Sequence, residues 1–322
     1  MDKIPLIVIG ASAGGLESLA AVLKNVSPKI PAPILGVIHI GAHDAKFPDY
    51  FRSRSALPVR YARDGEPIMA GRVLLAPPDR HLIVERGHVH LGRGPKENHT
   101  RPAIDPLFRS AAEIYGPLVI GAILTGFLTD GTAGLWEVKR RGGVAIVQDP
   151  DEAEVPSMPL SALRHVKVDH CVPVAELGRL LDRLAATALK TASQVALMSA
   201  GGGGGAMEYT ADTPVALTCP DCGGALKKTT VGSYTQFRCH IGHVFGTREA
   251  AQAQFDALEA TLEQALRLLN ERKEFCREAA RDAQSAEAWN AAALQSEVRF
   301  KELTKLLEDD WTRPELAEEA AA

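Results

Sequence analysis

Along the first half of the chain, short apolar runs alternate with segments in which apolar side chains recur every three or four residues. The runs at 4–9, 34–40, 73–76, 118–124 and 144–147 carry almost no polar alternation, the mark of strands covered on both faces. Helical spacing predicts helices over 15–25, 106–115, 131–141, 158–166 and 174–187. Strands alternating with helices predict an α/β fold, a doubly wound and mostly parallel sheet with helices on both faces. The segment 85–94 is expected to add a small hairpin beside it.

After Leu189 the pattern changes. Residues 193–213 include five consecutive glycines at 201–205 and little that could pack, which predicts a flexible linker. The chain thus divides into a catalytic-type domain over 1–190, a Gly-rich linker over 191–213, a Cys/His module over 214–246 and a helical tail over 247–322. In the tail, a heptad stripe runs through Phe255, Leu258, Leu262, Ala265 and Leu269 and weakens through Cys276, Ala279 and Ala283. A second stripe, through Trp289, Ala293, Phe300, Leu303 and Leu307, is out of phase with it. The break favours two helices or a phase shift over one straight coiled coil, and the last residues, 315–322, are expected to fray.

Composition narrows the function. Of 322 residues 46% are apolar and the net charge is -4, so no basic face is offered to nucleic acid. No apolar run reaches the roughly 20 residues that span a bilayer, and residues 1–3 lead straight into a strand with no charged-then-apolar leader. Three of the five cysteines crowd between 219 and 239, which is not a disulfide framework. A cytoplasmic protein without membrane insertion is expected.

The first strand ends in Gly10-Ala11-Ser12-Ala13-Gly14-Gly15. A dinucleotide fingerprint would need glycine where Ser12 stands and an acidic residue where His39 ends the second strand. Gly10-x-Ser12-x-Gly14 fits instead a nucleophile turn, with small neighbours and a helix N-terminus to receive a developing oxyanion; a plain helix N-cap is the alternative. His39 and Asp130 each follow a strand and would share the C-terminal sheet edge with Ser12. A serine needs a base, and the base a buried carboxylate that fixes its tautomer; these three residues supply the roles. The chain order Ser, His, Asp differs from that of the usual α/β-hydrolases, so the shared Gly-x-Ser-x-Gly is not kinship.

Four stretches, in order, resemble the methylesterase domain of the CheB family of bacterial chemotaxis. They are Ile7-Val8-Ile9-Gly10-Ala11-Ser12-Ala13-Gly14-Gly15, Ile38-His39-Ile40, Arg101-Pro102-Ala103-Ile104-Asp105-Pro106-Leu107-Phe108, and Ile123-Leu124-Thr125-Gly126 through Thr129-Asp130-Gly131-Thr132-Ala133-Gly134. Shorter echoes lie at 64–66, 75–81 and Met158-Pro159, so the likeness covers about residues 4–185. The resemblance implies Ser12 as nucleophile, His39 as general base and Asp130 as its orienting carboxylate, with oxyanion donors near Ala13 and Phe127. It implies hydrolysis of glutamate γ-methyl esters on chemoreceptor cytoplasmic helices, deamidation of certain glutamines, and no catalytic metal or cofactor. A family member usually begins with a phosphorylatable receiver domain, and this chain starts in the catalytic strand, so control by phosphorylation in cis is not expected. Ala13 replaces a hydroxyl residue, and Phe127-Leu128-Thr129 replaces a Met-Gly-Asn-type stretch, giving a bulkier wall without its glycine. An esterase or amidase with an unrelated substrate, or a binding scaffold that keeps the fold, are the other readings; an intact triad favours the enzyme. Arg101 and Asp105 either line the site or support a loop through a salt bridge. His43, His81 and His99 read as solvated loop residues, and His165 and His170 as surface or strand-end residues.

Cys219-Pro220-Asp221-Cys222-Gly223-Gly224 is a C-x-x-C turn, and Cys239-His240-Ile241-Gly242-His243 follows at a spacing typical of zinc ribbons. Cys219, Cys222, Cys239 and His243 are the candidate ligands of a structural zinc; His240 is set aside because adjacent residues rarely converge on one metal. Thiol redox chemistry, the rival for C-x-x-C, lacks its βαβ setting. Cys171 and Cys276 read as buried or interfacial. The module and the helices after it suit docking to a receptor bundle, self-association or a receptor methyltransferase; packing on the rest of the chain is the alternative.

Overall fold

The computed structural model describes residues 4–39, 47–196, 213–282, 286–309 and Trp311. The glycine run at 201–205, His43, Ala283 and the 315–322 end therefore lie outside the described residues. The chain divides into two compact units, residues 1–249 and 250–322.

The first unit opens with β1 (Leu6–Ala11), α1 (Gly15–Lys24), β2 (Ile34–Ile38), a 3-10 turn (Phe47–Phe51), β3 (Val59–Tyr61) and β4 (Val73–Leu75). A hairpin, β5 (His81–Val84) with β6 (Val89–Gly92), precedes α2 (Ile104–Tyr115) and β7 (Val119–Ile123). Then come α3 (Thr132–Arg140), β8 (Val144–Gln148), α4 (Ser157–His165), β9 (His170–Val172) and α5 (Val174–Ala196). Seven strands form a parallel sheet in the order β3-β4-β2-β1-β7-β8-β9. The expected doubly wound parallel sheet is the one observed, and the hairpin, expected over 85–94, spans 81–92 as a separate two-stranded sheet.

Why the strands read as unbroken apolar runs is clear in β1, whose side chains alternate between two hydrophobic layers. Leu6 and Val8 join Leu107, Phe108, Ala111, Leu135, Val138, Met158 and Ala162 on the α2, α3 and α4 face. Ile7, Ile9 and Ala11 join Leu19, Leu23, Leu177 and Leu181 on the α1 and α5 face. Each fully buried aliphatic side chain contributes roughly 1.5–3 kcal/mol relative to exposure, so neither face tolerates a charge. The edge strands β3 and β9, three residues each and only half-covered or exposed, lack that pattern and were not expected from the sequence.

The Cys/His module is a four-stranded antiparallel sheet of β10 (Thr213–Thr218), β11 (Ala225–Val231), β12 (Tyr234–Cys239) and β13 (Val244–Gly246). It leads into α6 (Thr247–Asp282), whose first three residues close the first unit. The second unit pairs α6 with α7 (Ala286–Glu308). The two helices are joined by an Arg277–Glu297 ion pair at 2.9 Å, by Lys273 over the Phe300 ring and by Phe275 edge-on to Trp289. The phase break between the two stripes thus marks a change of helix. Among the described residues no helix is long and apolar enough to cross a membrane.

Candidate active site

Three neighbouring strands bring the predicted residues to one sheet edge. Ser12 follows β1 directly, its amide donating to Thr125 O at 2.9 Å, and His39 follows β2, its amide donating to Ala11 O at 3.1 Å. Asp130 lies on the loop after β7. The turn at Ser12 is held by Thr125, whose Oγ1 donates to Ala13 O at 3.0 Å and receives the Val155 amide at 2.8 Å. Gly126 is required there: a Cβ at that position would stand 2.2 Å from Met158 Sδ and 2.6 Å from Ser12 Cβ. Leu128, where the CheB pattern has its glycine, is held at φ 64, a left-handed conformation that costs a side-chain-bearing residue on the order of 1 kcal/mol.

The His39–Asp130 pair is formed. His39 Nε2 lies 2.9 Å from Asp130 Oδ2, and Asp130 is 2% exposed. Its carboxylate gathers three further donors: Asn98 Nδ2 at 2.9 Å, the Ile104 amide at 2.7 Å and the Asp105 amide at 3.2 Å. Burial works to raise the Asp130 pKa, but the hydrogen bond and charge of His39 with the Ile104 and Asn98 donors outweigh it and hold the pKa below the usual value. Asp105 goes the other way: burial first, then the Asp130 charge, push it well above the carboxylate range. Of two adjacent buried carboxyls, the surroundings thus favour the charged form on Asp130 and the protonated form on Asp105. Among the described residues the Ser12 hydroxyl and the amides of Ala13 and Phe127 have no hydrogen-bond partner, which leaves them free for a ligand. A serine not yet bonded to its base is common without substrate. Phe127 is 53% exposed, a rim residue and not part of the core.

Arg101, considered as a substrate contact, is engaged elsewhere: Nε and Nη2 donate to Asp79 at 2.9 and 2.6 Å, and Nη1 to Gly94 O at 2.7 Å. These bonds fit the other of its two readings, support of a loop. His81 is not solvated; it is 3% exposed, bonded through Nε2 to Pro95 O and through Nδ1 to the Ala103 amide. Cys276 is buried as expected, but Cys171 is exposed on the edge strand β9.

The Cys/His candidates converge: the ligand atoms of Cys219, Cys222, Cys239 and His243 all lie within 4.8 Å of one another. His243 turns Nδ1 toward the sulfurs, 3.6 Å from Cys219 Sγ and 3.5 Å from Cys239 Sγ, and Nε2 toward Asp221 Oδ2 at 3.9 Å. His240 stands apart, packed against Gly224 where a Cβ would meet its ring. A set of three thiols and one imidazole, with a carboxylate near the far nitrogen of the imidazole, suits a tetrahedral soft-ligand metal.

Residues that sequence reasoning missed join this module to the catalytic loop. Asn98 donates to Asp130, accepts the Gly246 amide on Oδ1 at 3.1 Å and gives its own amide to Val244 O at 2.7 Å. Glu249 Oε1 accepts both the Thr129 amide at 2.7 Å and Thr129 Oγ1 at 2.5 Å, while Tyr234 Oη meets Thr129 Oγ1 at 2.5 Å. No local motif announces such contacts, because their partners lie more than a hundred positions apart in the chain.

With this geometry in hand, comparison with known proteins is decisive: residues 7–181 match the CheB methylesterase family. The chain belongs to that family. A protein-glutamate methylesterase/protein-glutamine glutaminase 2 of Anaeromyxobacter dehalogenans is 42% identical over 183 residues, which are 56% of this chain and 54% of that protein. A putative protein of the same description from Leptospira interrogans is 38% identical over 180 residues, 55% of this chain and 93% of that one. This chain thus spans about half the length of the first relative and nearly all of the second. Among solved structures, the CheB methylesterase catalytic domain of Thermotoga maritima superposes with a TM-score of 0.54 at 36% identity, covering 56% of this chain and 98% of that one. The CheB match ends before the Cys/His module begins.

Proposed function

We propose that this CheB-family chain hydrolyses glutamate γ-methyl esters on the cytoplasmic helices of a chemoreceptor, releasing methanol, and deamidates glutamines there with release of ammonia. The observation that carries this reading is the His39–Asp130 pair at 2.9 Å beside the Ser12 turn, with Asp130 buried and ionised among four donors. Because Nε2 of His39 is committed to Asp130, Nδ1 is the base. Ser12 Oγ passes its proton to Nδ1 and bonds to the ester carbonyl carbon, and the carbonyl π pair moves onto oxygen, where the amides of Ala13 and Phe127 receive it. Collapse breaks the bond to methoxide, which takes the proton from His39 and leaves as methanol. Water, deprotonated by His39, then attacks the acyl-serine and restores Ser12 and a free glutamate carboxyl. No cofactor enters these steps.

A cytoplasmic location follows from such a substrate. We further assign a structural zinc to Cys219, Cys222, Cys239 and His243; it would tie β10–β13 together. The C-terminal helices are offered to self-association or to a receptor methyltransferase. The bulky Phe127 at the rim supports a second reading, an esterase for an unrelated ester. Methanol release from methylated receptor membranes separates the two, with Ser12→Ala as control. Release by wild type and a loss of several orders of magnitude in Ser12→Ala are expected; a wild type that labels at Ser12 yet releases no methanol moves the assignment to the unrelated ester.

A further inference from the structure

We propose that the Cys/His module is a built-in brace for the catalytic carboxylate, with Asn98 and Glu249 as positioning residues for Asp130. The inference rests on the hydrolase reading above and adds to it a part of the chain that the CheB match does not reach.

Two clamps hold the Asp130 loop: Asn98, which is tied to β13 of the module, and Glu249, which follows the module in the first turn of α6. The first is Asn98. Its Nδ2 donates to Asp130 Oδ1 at 2.9 Å and to Asp105 Oδ2 at 3.2 Å, and both its Oδ1 and its backbone amide are tied to β13. Asn98 and the next residue, His99, stand at φ 50 and 62, a backbone form that surrounding contacts must hold in place. Arg109, paired with Glu97 through both guanidinium nitrogens at 2.9 and 2.6 Å, fixes the loop from the other side. The second clamp is Glu249, which takes both donors of Thr129, the residue before Asp130. Glu249 is fully buried with Oε2 unpartnered, and burial raises its pKa, so a neutral side chain of the same shape can do its work.

The metal ligands connect to the same loop. Asp221 faces His243 through Oδ2 at 3.9 Å and His99 Nδ1 through Oδ1 at 3.2 Å, and the His99 ring packs on Phe245 with centroids 4.8 Å apart. From the four ligands a chain of contacts therefore runs through Asp221, His99 and Asn98 to Asp130 and His39. The module is too small to hold its shape by apolar burial alone, so loss of the metal loosens β13 and Glu249 and frees Asp130 to turn from His39. A displacement near 1 Å at a triad member is worth on the order of 100-fold in rate.

The test uses the full-length, metal-loaded chain and a fluorophosphonate, which phosphonylates an activated serine: the Oγ–P bond forms, fluoride leaves and His39 takes the proton. Labelling of Ser12 is followed against pH in wild type, Asn98→Ala, Glu249→Ala and Glu249→Gln, with folding checked by thermal melting. Wild type is also assayed after chelation and again after zinc is restored. Labelling is expected to slow about 10- to 100-fold in the two alanine variants and after chelation. The dependence of labelling on pH should also differ from wild type in these variants, which a residue serving only fold stability would not cause. Glu249→Gln, which keeps both Thr129 bonds, should label as wild type does, and zinc should restore the chelated chain. Unchanged rate and pH profile in folded Asn98→Ala and Glu249→Ala, or in chelated wild type, would overturn the brace and leave the hydrolase standing. If an alanine variant does not fold, the chelation and restoration arm decides. A wild type that is not labelled at Ser12 overturns the hydrolase reading itself, and the brace with it.

Discussion

At the scale of single residues, the site is a problem of close approach and of proton placement. Gly126 lets the loop after β7 lie against Ser12, and the Cβ of Gly126→Ala would press on Ser12 Cβ from 2.6 Å. We expect that variant to fold and to lose roughly 100-fold or more in kcat/KM, measured by methanol release; trimming Met158 alongside should not restore it, since the clash with Ser12 remains. Asp105 makes a different prediction. Its pKa is raised, so its contribution to stability is complete below the ordinary carboxylate value and is lost as pH climbs toward the raised one. Asp130, with a lowered pKa, contributes in the opposite sense, losing stability only as the solution becomes strongly acid. Denaturation of Asp105→Asn and wild type across pH should therefore show the variant gaining on wild type as pH rises from about 4; a difference independent of pH would contradict the assignment of the proton to Asp105. Ser12, His39 and Asp130 were legible as candidates because each stands just past a strand, at its end or on the loop after it, within a recognisable motif. Asn98 and Glu249 were not, since an amide and a buried acid announce nothing until their partners are in place. Arg101 shows the converse: a motif arginine with a loop-pinning job.

At the scale of elements, the central strands were legible because burial on both faces demands continuous apolar sequence. The edge strands β3 and β9 were not, because three half-covered residues leave no period to read. Cys219, Cys222, Cys239 and His243 were picked out from spacing, and their ligand atoms lie within 4.8 Å of one another, with His240 outside the group. What spacing could not tell is where the module sits, since sheet-to-loop docking depends on Tyr234, Val244 and Gly246 meeting residues far away in sequence. The ligand set carries its own prediction: purified chain should hold about one zinc, measured by elemental analysis, and Cys239→Ser should lower both the metal content and the melting temperature of the first unit.

At the scale of the whole molecule, every residue assigned here to catalysis or to its support lies in the first unit, which ends at Glu249. Removing residues 255–322 should leave Ser12 labelling within about two-fold of the full chain, whereas removing 213–322 takes Glu249 and the β13 partners of Asn98 and should slow it as the alanine variants do. Equal loss in the two truncations would place some of the support in the second unit. His39 and Asp130 meet across 91 positions of sequence, and Asn98 meets Gly246 across 148. With the ribosome adding 5–20 residues each second, the triad exists on paper from residue 130 onward but is not clamped until residue 249 has emerged. On the proposed brace, a nascent chain should therefore label at Ser12 about 10- to 100-fold more slowly for the roughly six to twenty-four seconds between residue 130 and residue 249.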